Sequence, residues 1–139
     1  MIRVVLDTNI VISALRAGGF PGAVFDLAMA DLIQLCFTVA VLAEYEEVLG
    51  RARLRLPADK VAKALNRIRD KGCLVTKMVK VGPTACPDDP DDIIFLECAE
   101  AAAADYLVTG NRKHFPSIWK NTRIVTPREF MEKEAGAIH

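Results

Sequence analysis

The sequence has no surplus of charge, no long apolar run and no paired-cysteine motif. Its 18 Lys and Arg balance its 18 Asp and Glu. Bulk charge therefore gives no affinity for polyanions, and any nucleic-acid site has to be a local patch. No apolar run approaches about 18 residues, so no membrane span is expected. The N-terminus enters a strand pattern directly, without a signal peptide, and the protein is expected to be cytoplasmic. The cysteines, Cys36, Cys73, Cys86 and Cys98, match neither a CxxC pair nor a zinc ribbon. All four read as reduced and structural, with Cys36 and Cys98 filling space in apolar runs.

What the chain does have is apolar material: 52% of its 139 residues are hydrophobic, and mean hydropathy is +0.22. One domain spanning residues 1–139 is expected, with a buried sheet, an apolar interface, or both. The run from Ile2 to Leu6 reads as a central parallel strand. Asn9 to Ala17 reads as a short helix with Thr8 as N-cap, stopped by Gly18-Gly19. Pro21 opens a helix to Ala30, and Ile33 to Thr38 forms a second strand. Val41, Leu42, Tyr45, Val48 and Leu49 make one helical stripe. A further helix spans 58–71, with Val61, Leu65 and Ile68 inward and Gly72 just after it. One strand or two short ones fall in 73–81, and 82–90 is loop. Asp89-Pro90 starts a helix to Ala104 that is apolar nearly all round, as a helix buried on two sides would be. Strands at Tyr106–Thr109 and Arg123–Val125 and a helix from Pro127 complete the chain. Alternating strands and helices predict a three-layer α/β/α domain around a mostly parallel sheet.

Acids and amides mark the ends of these elements. Asp7 and Asn9 end the first strand, Glu44 lies early in a helix, Asp92 opens another, and Asn111 follows Thr109-Gly110. Strand ends are where open α/β sheets place their chemistry. Carboxylates converging there without a neutralising Lys or Arg repel unless a hard cation joins them, which points to Mg²⁺ or Mn²⁺. Each has a plainer reading. Asp7 can cap the next helix, and Glu44 can be a solvated residue like Glu46 and Glu47. Asp92 fits the third position of a helix opened by Asp89 and Pro90, where negative charge is favoured. Asn111 can be a turn residue.

The pattern as a set resembles the PIN-domain family. The blocks are Leu6-Asp7-Thr8-Asn9 with Ser13, Leu42 to Leu49 around Glu44, Asp89-Pro90-Asp91-Asp92 with Phe95 to Ala99, and Ala104 to Asn111 followed by Lys113-His114-Phe115-Pro116. The nearest branch is similar to the VapC-like toxins of toxin–antitoxin pairs. The resemblance implies a PIN-like, Rossmann-like fold and a metal-dependent endoribonuclease acting on single-stranded RNA. It places the metal-holding and catalytic acids at Asp7, Glu44 and Asp92, with Asp91 the alternative to Asp92. Asn9, Thr109 and Asn111 are implied as supporting, water-orienting groups. Asn111 stands where the family often has a fourth acid, which leaves the number of metals open. Water as nucleophile would leave 5′-phosphate and 3′-hydroxyl ends. A cognate antitoxin and a homodimer are the implied partners.

A polyanionic substrate needs a positive rim. The candidates are Arg16, Arg112, Lys113 and His114, with Arg51, Arg53 and Lys77 behind them. Phe115 and Trp119 can stack on a base or pack in the core. The segment Arg51 to Leu56, with arginines at alternate positions, reads as an extended or helical edge that docks a partner. Two other functions stay open. A small α/β phosphatase would want Asp-x-Asp where this chain has Asp7-Thr8-Asn9. A non-catalytic PIN-like module binding RNA or protein is compatible with Asn111 and the zero net charge.

Overall fold

A computed structural model of the chain describes residues 1–82, 85 and 90–134. Cys86, Asp88 and the expected cap Asp89 lie outside the described residues, as does most of the expected 82–90 loop. The strands are β1 (Arg3–Leu6), β2 (Gln34–Phe37), β3 (Cys73–Leu74), β4 (Tyr106–Val108), β5 (Ile118–Trp119) and β6 (Thr122–Val125). The helices are α1 (Thr8–Arg16), α2 (Gly19–Met29), α3 (Val39–Leu49), α4 (Ala58–Lys71), α5 (Ile93–Ala102) and α6 (Pro127–Glu134). Short 3-10 turns occupy 52–54, 90–92 and 112–114.

Among the described residues the sheet order is β3-β2-β1-β4-β6-β5. All neighbours are parallel except β5 with β6. The result is the three-layer α/β/α architecture. Val4, Val5 and Leu6 on β1 and Leu107 and Val108 on β4 are fully buried, as central strands covered on both faces should be. From β1 the chain steps outward through β2 and β3, then returns to lay β4 on the other side of β1. The gap between β1 and β4 is thus a topological switch point, the place where open α/β sheets leave a crevice beyond the strand ends.

The helices follow their apolar patterns. On α3 the stripe Val41, Tyr45, Val48 and Leu49 is buried, and Thr38 caps the helix by accepting from the Val41 amide at 3.2 Å. On α4 the inward face is Val61, Ala64, Leu65 and Ile68. Gly72 does more than stop this helix. A Cβ there would stand 2.6 Å from both the Ile68 carbonyl oxygen and the Phe37 ring. Helix α5 packs on β1, β2 and β4 and also against α3, which explains an apolar surface on several sides. Between α1 and α2 the axis turns by 103°. Gly18 and Gly19 make that elbow with φ of +71° and +61°, a region glycine enters without strain. No single helix among the described residues is long and apolar enough to cross a membrane.

Several expectations are corrected. Helix α1 begins at Thr8, so Asp7 and not Thr8 holds the N-cap position. The Asp89-Pro90 helix opens with a 3-10 turn at Pro90–Asp92 before α5. Two other segments take one of their expected forms: residues 73–81 hold a single strand, of two residues, and the arginine-rich segment is helical, a 3-10 turn at Ala52–Leu54. Strand β5 was hidden because its two residues are too few to show a period. Cys36, Cys73 and Cys98 are free. Burial pushes the Cys36 thiol up to about 11 and the Cys98 thiol to about 12, which keeps them unreactive.

Candidate active site

The first acid is set by β1. Three buried apolar residues bring the chain to Asp7, whose amide donates to the Val108 carbonyl at 3.0 Å. That bond carries the β1–β4 pairing to the end of the strand and leaves Asp7 at the switch point. Its side chain is 4% exposed. The Thr109 hydroxyl, just past β4, donates to its Oδ2 at 2.7 Å. Thr109 Oγ1 in turn accepts from the Asn111 amide at 3.0 Å. Asp7, Thr109 and the Asn111 backbone are therefore one chain of hydrogen bonds.

Burial raises the Asp7 pKa, because the charged form loses water. The Thr109 hydroxyl, the amides of Thr8 and Asn9 and the nearby His114 pull it the other way without cancelling the effect. Those amides favour the anion although Asp7 makes no capping hydrogen bond.

Glu44 is carried to the site by its neighbour. The Tyr45 hydroxyl, fully buried, donates 2.5 Å to the Leu6 carbonyl. That contact pins the middle of α3 to the residue before Asp7. Glu44 is half-buried, whereas Glu46 and Glu47 are exposed. Its pKa is also raised, first by burial and then by Glu47, with Asp91 and Asp7 adding repulsion against the attraction of Arg51. Glu44 thus lies in the field of both Asp7 and Asp91.

Asp92 stands at the start of α5, where its Oδ2 is 3.4 Å from His114 Nδ1. His114 acts electrostatically on Asp7 as well. His114 thus stands beside Asp92 and acts on Asp7, and Glu44 feels both Asp7 and Asp91. Asp91 faces Glu44 electrostatically and Asp92 faces His114, so both members of the pair border the site. Asn9 is exposed on the first turn of α1, and Asn111 is exposed on the loop after β4.

The basic candidates divide. Arg112, Lys113 and His114 line a hollow of about 480 Å³ beside the acids, together with Asn111 and Thr126. Arg112 is held there by Glu129 at 2.5 Å. Arg16 sits at the far end of α1 and donates to the Leu54 carbonyl at 2.8 Å; at 1.5 Å per residue that is about 13 Å along the helix from Asp7. Arg51 is tied to Glu47 at 2.7 Å. Phe115 is buried, and Trp119 is half-buried with its indole N–H donating to Glu100 at 3.0 Å. Another hollow, about 740 Å³, lies between Met1, Asp105 and Arg123 at the opposite end of the sheet.

The donor chemistry fits a hard divalent cation: the acids offer oxygen only, and the most buried of them keeps a raised pKa. Thr8 Oγ1, beside Asp7 in sequence, is buried without a hydrogen-bond partner. An incoming ion or its water would relieve that cost. Among the described residues no three His, Cys, Asp or Glu side chains stand close enough to form a finished cage. Like charges with no cation between them have no reason to close to ligand distance.

Raised carboxylate pKa values have a signed consequence for the metal-free protein. The stability that Asp7 and Glu44 contribute is complete below their ordinary pKa values and is lost as pH rises through the raised ones. Asp7→Asn removes the larger buried charge. Its metal-free Tm should exceed that of the wild type at pH 7, and the gap should close as pH falls toward 4. Mn²⁺ should raise the wild-type Tm and leave that of the variant nearly unmoved. Thermal scans from pH 4 to 8 check this, and a gap that widened on acidification would contradict it.

The mostly parallel sheet places Asp7 at its β1–β4 switch point. The model of the PIN domain family matches residues 3–113, and the chain belongs to that family. The matched segment contains all four acids; β5, β6 and α6 follow it. None of the curated proteins matches the chain.

Proposed function

We propose that the protein is a Mg²⁺- or Mn²⁺-dependent endoribonuclease that hydrolyses single-stranded RNA, and that it serves as the toxin of a toxin–antitoxin pair. The observation that carries the catalytic reading is the buried, pKa-raised Asp7 at the β1–β4 switch point, with Glu44 in the field of Asp7 and Asp91, and Asp92 beside His114. Asp7, Glu44 and Asp92 would hold the cation, with Asp91 alongside. When bound, the cation supplies Lewis-acid activation of water and neutralises charge at the phosphate. The chain supplies the rest. Thr109 fixes one oxygen of Asp7, so the other is presented in one orientation. Arg112, Lys113 and His114 form the positive edge that holds the phosphodiester backbone. Asn9 and Asn111 provide exposed amides at the mouth.

The toxin reading, a cognate antitoxin and a homodimer are supported by the sequence resemblance to VapC-like toxins. Exposed Val39 and Ile118, 71% and 61% accessible, fit a chain that docks against protein. The test is incubation of single-stranded RNA with the protein and Mg²⁺ or Mn²⁺. Fragments carrying 5′-phosphate and 3′-hydroxyl ends are expected, and chelation should abolish them. RNA that stays intact, while calorimetry shows no heat with Mn²⁺, would favour a non-catalytic binding module.

A further inference from the structure

A second hollow, about 250 Å³, lies on the other side of the basic one. Its walls are Asn9, Ile10 and Ser13 on α1, Phe20 and Pro21 on α2, and Pro127 at the start of α6. Gly110 and Thr126 line both hollows, so the two meet across those residues. One side carries Lys113 and Arg112, the latter paired with Glu129, and reaches Asp92 through His114; the other is apolar with a polar edge.

Phe20 is 49% exposed, although aromatic rings on α2 elsewhere, such as Phe25, are buried. The Gly18-Gly19 elbow places it there: the left-handed turn swings the first residues of α2 back beside α1. Asn9 and Ser13 are four residues apart and so share one face of α1. Arg128 stands at the rim, 72% exposed at its side chain, with Glu132 as its partner.

We infer that this groove is a base-binding subsite for the single-stranded RNA, with Phe20 as the stacking platform and Asn9 and Ser13 as the groups that read the base edge. The inference rests on the nuclease reading above and adds to it the element that chooses where the strand is cut. Charge complementarity and continuity identify the occupant. A nucleotide is an anionic phosphate joined to a flat apolar ring with a hydrogen-bonding edge. The paired hollows offer cations on one side of Gly110, and an aromatic face with an amide and a hydroxyl on the other. Single strands can be recognised this way because their unstacked bases expose both face and edge.

Gly110 supplies a second handle. A Cβ built there meets nothing within 4 Å, and its φ is not in the left-handed region. A side chain at that position therefore enters the open passage between the hollows without a clash in the fold.

The test separates binding from cutting. Affinity for short fluorescent single-stranded RNA is measured with Mn²⁺ in an Asp7→Asn background, and cut sites are mapped with Asp7 intact. Phe20→Ala should weaken binding about tenfold, the range a lost base–aromatic stack gives. It should raise KM and broaden the set of nucleotides at the cut. Phe20→Trp should restore both, and Gly110→Leu should reproduce the loss. Tm should stay close to the wild type, since Phe20 is half exposed. Cleavage that continues with unchanged affinity and unchanged cut sites in Phe20→Ala overturns the subsite, leaves the nuclease reading intact, and points to a protein occupant of the groove. RNA that binds in a Phe20-dependent way yet is never cut supports the subsite and removes the nuclease reading.

Discussion

Asp7→Asn and Asp92→Asn should each lower metal-dependent RNA cleavage by about two to three orders of magnitude, with the fold intact. The size follows from the several kcal/mol of charge stabilisation that a correctly held cation supplies in a phosphoryl reaction. The amide has nearly the volume of the carboxylate, and its oxygen can still accept from Thr109, so the hydrogen bond seen at 2.7 Å survives. What goes is one negative charge. A surface acid gives the contrast: Asp59→Asn, on the exposed first turn of α4, should leave the rate within about twofold, as expected for a solvated side chain. Initial rates on one single-stranded RNA across a Mn²⁺ titration measure all three. Two acid variants that cut as fast as the parent at saturating Mn²⁺ would end the assignment of these residues.

Phe130→Ala should be the most damaging single core change considered for α6, costing about 3–5 kcal/mol. Phe130 is fully buried. It meets the Tyr106 ring edge-to-face, with centroids 5.2 Å apart and planes at 89°. Tyr106 is the first residue of β4 and also bonds Glu134 at the other end of α6. The ring therefore ties α6 to the strand that carries Thr109. For a chain of this length the loss corresponds to a fall in Tm of roughly 10–16 °C. Because α6 lies beyond the residues matched to the family, the result also reports whether this segment belongs to the same cooperative unit. A single transition at lower temperature is expected. A second, separate transition, or a fall of less than about 3 °C, would show that α6 melts on its own.

The pattern of apolar residues made most of the framework legible. Val61, Leu65 and Ile68 give α4 away by their spacing, and its bounds fall at 58 and 71 as the period and Gly72 require. The apolar run into Asp7 marks β1 as central, and the structure buries its Val4, Val5 and Leu6 completely. Two-residue strands escape such reading. Ile118–Trp119 exists because β6 offers an edge to pair with, a fact about a neighbour and not about those two side chains. The Thr8 cap was misplaced by one residue because Asp7-Thr8-Asn9 offers three capping side chains in a row. Asp7 takes the position by its backbone alone, because Thr109, just past β4, claims its carboxylate.

The acids were visible as a set because their residue types and the motifs around them are written locally. Their roles toward one another were not. The resemblance places the third acid at Asp92 with Asp91 as its alternative, and the structure gives each its own neighbour: Asp91 acts on Glu44 while Asp92 faces His114. Tyr45 looked like one more residue of a helical stripe, and its hydroxyl holds α3 to the end of β1. Phe20 gave no signal, since an aromatic beside Gly18-Gly19 has no period to betray its exposure.

The sequence by itself determined which segments become strands and helices, and that oxygen-bearing side chains sit at their ends, because local periodicity and chemistry are properties of neighbours along the chain. The tertiary structure alone decided which of those side chains share a crevice, which lose water, and which hollow adjoins which. Those outcomes depend on the β1–β4 switch and on bonds between residues as far apart as Asp7 and Thr109, and separation along the chain carries no information about distance across a sheet.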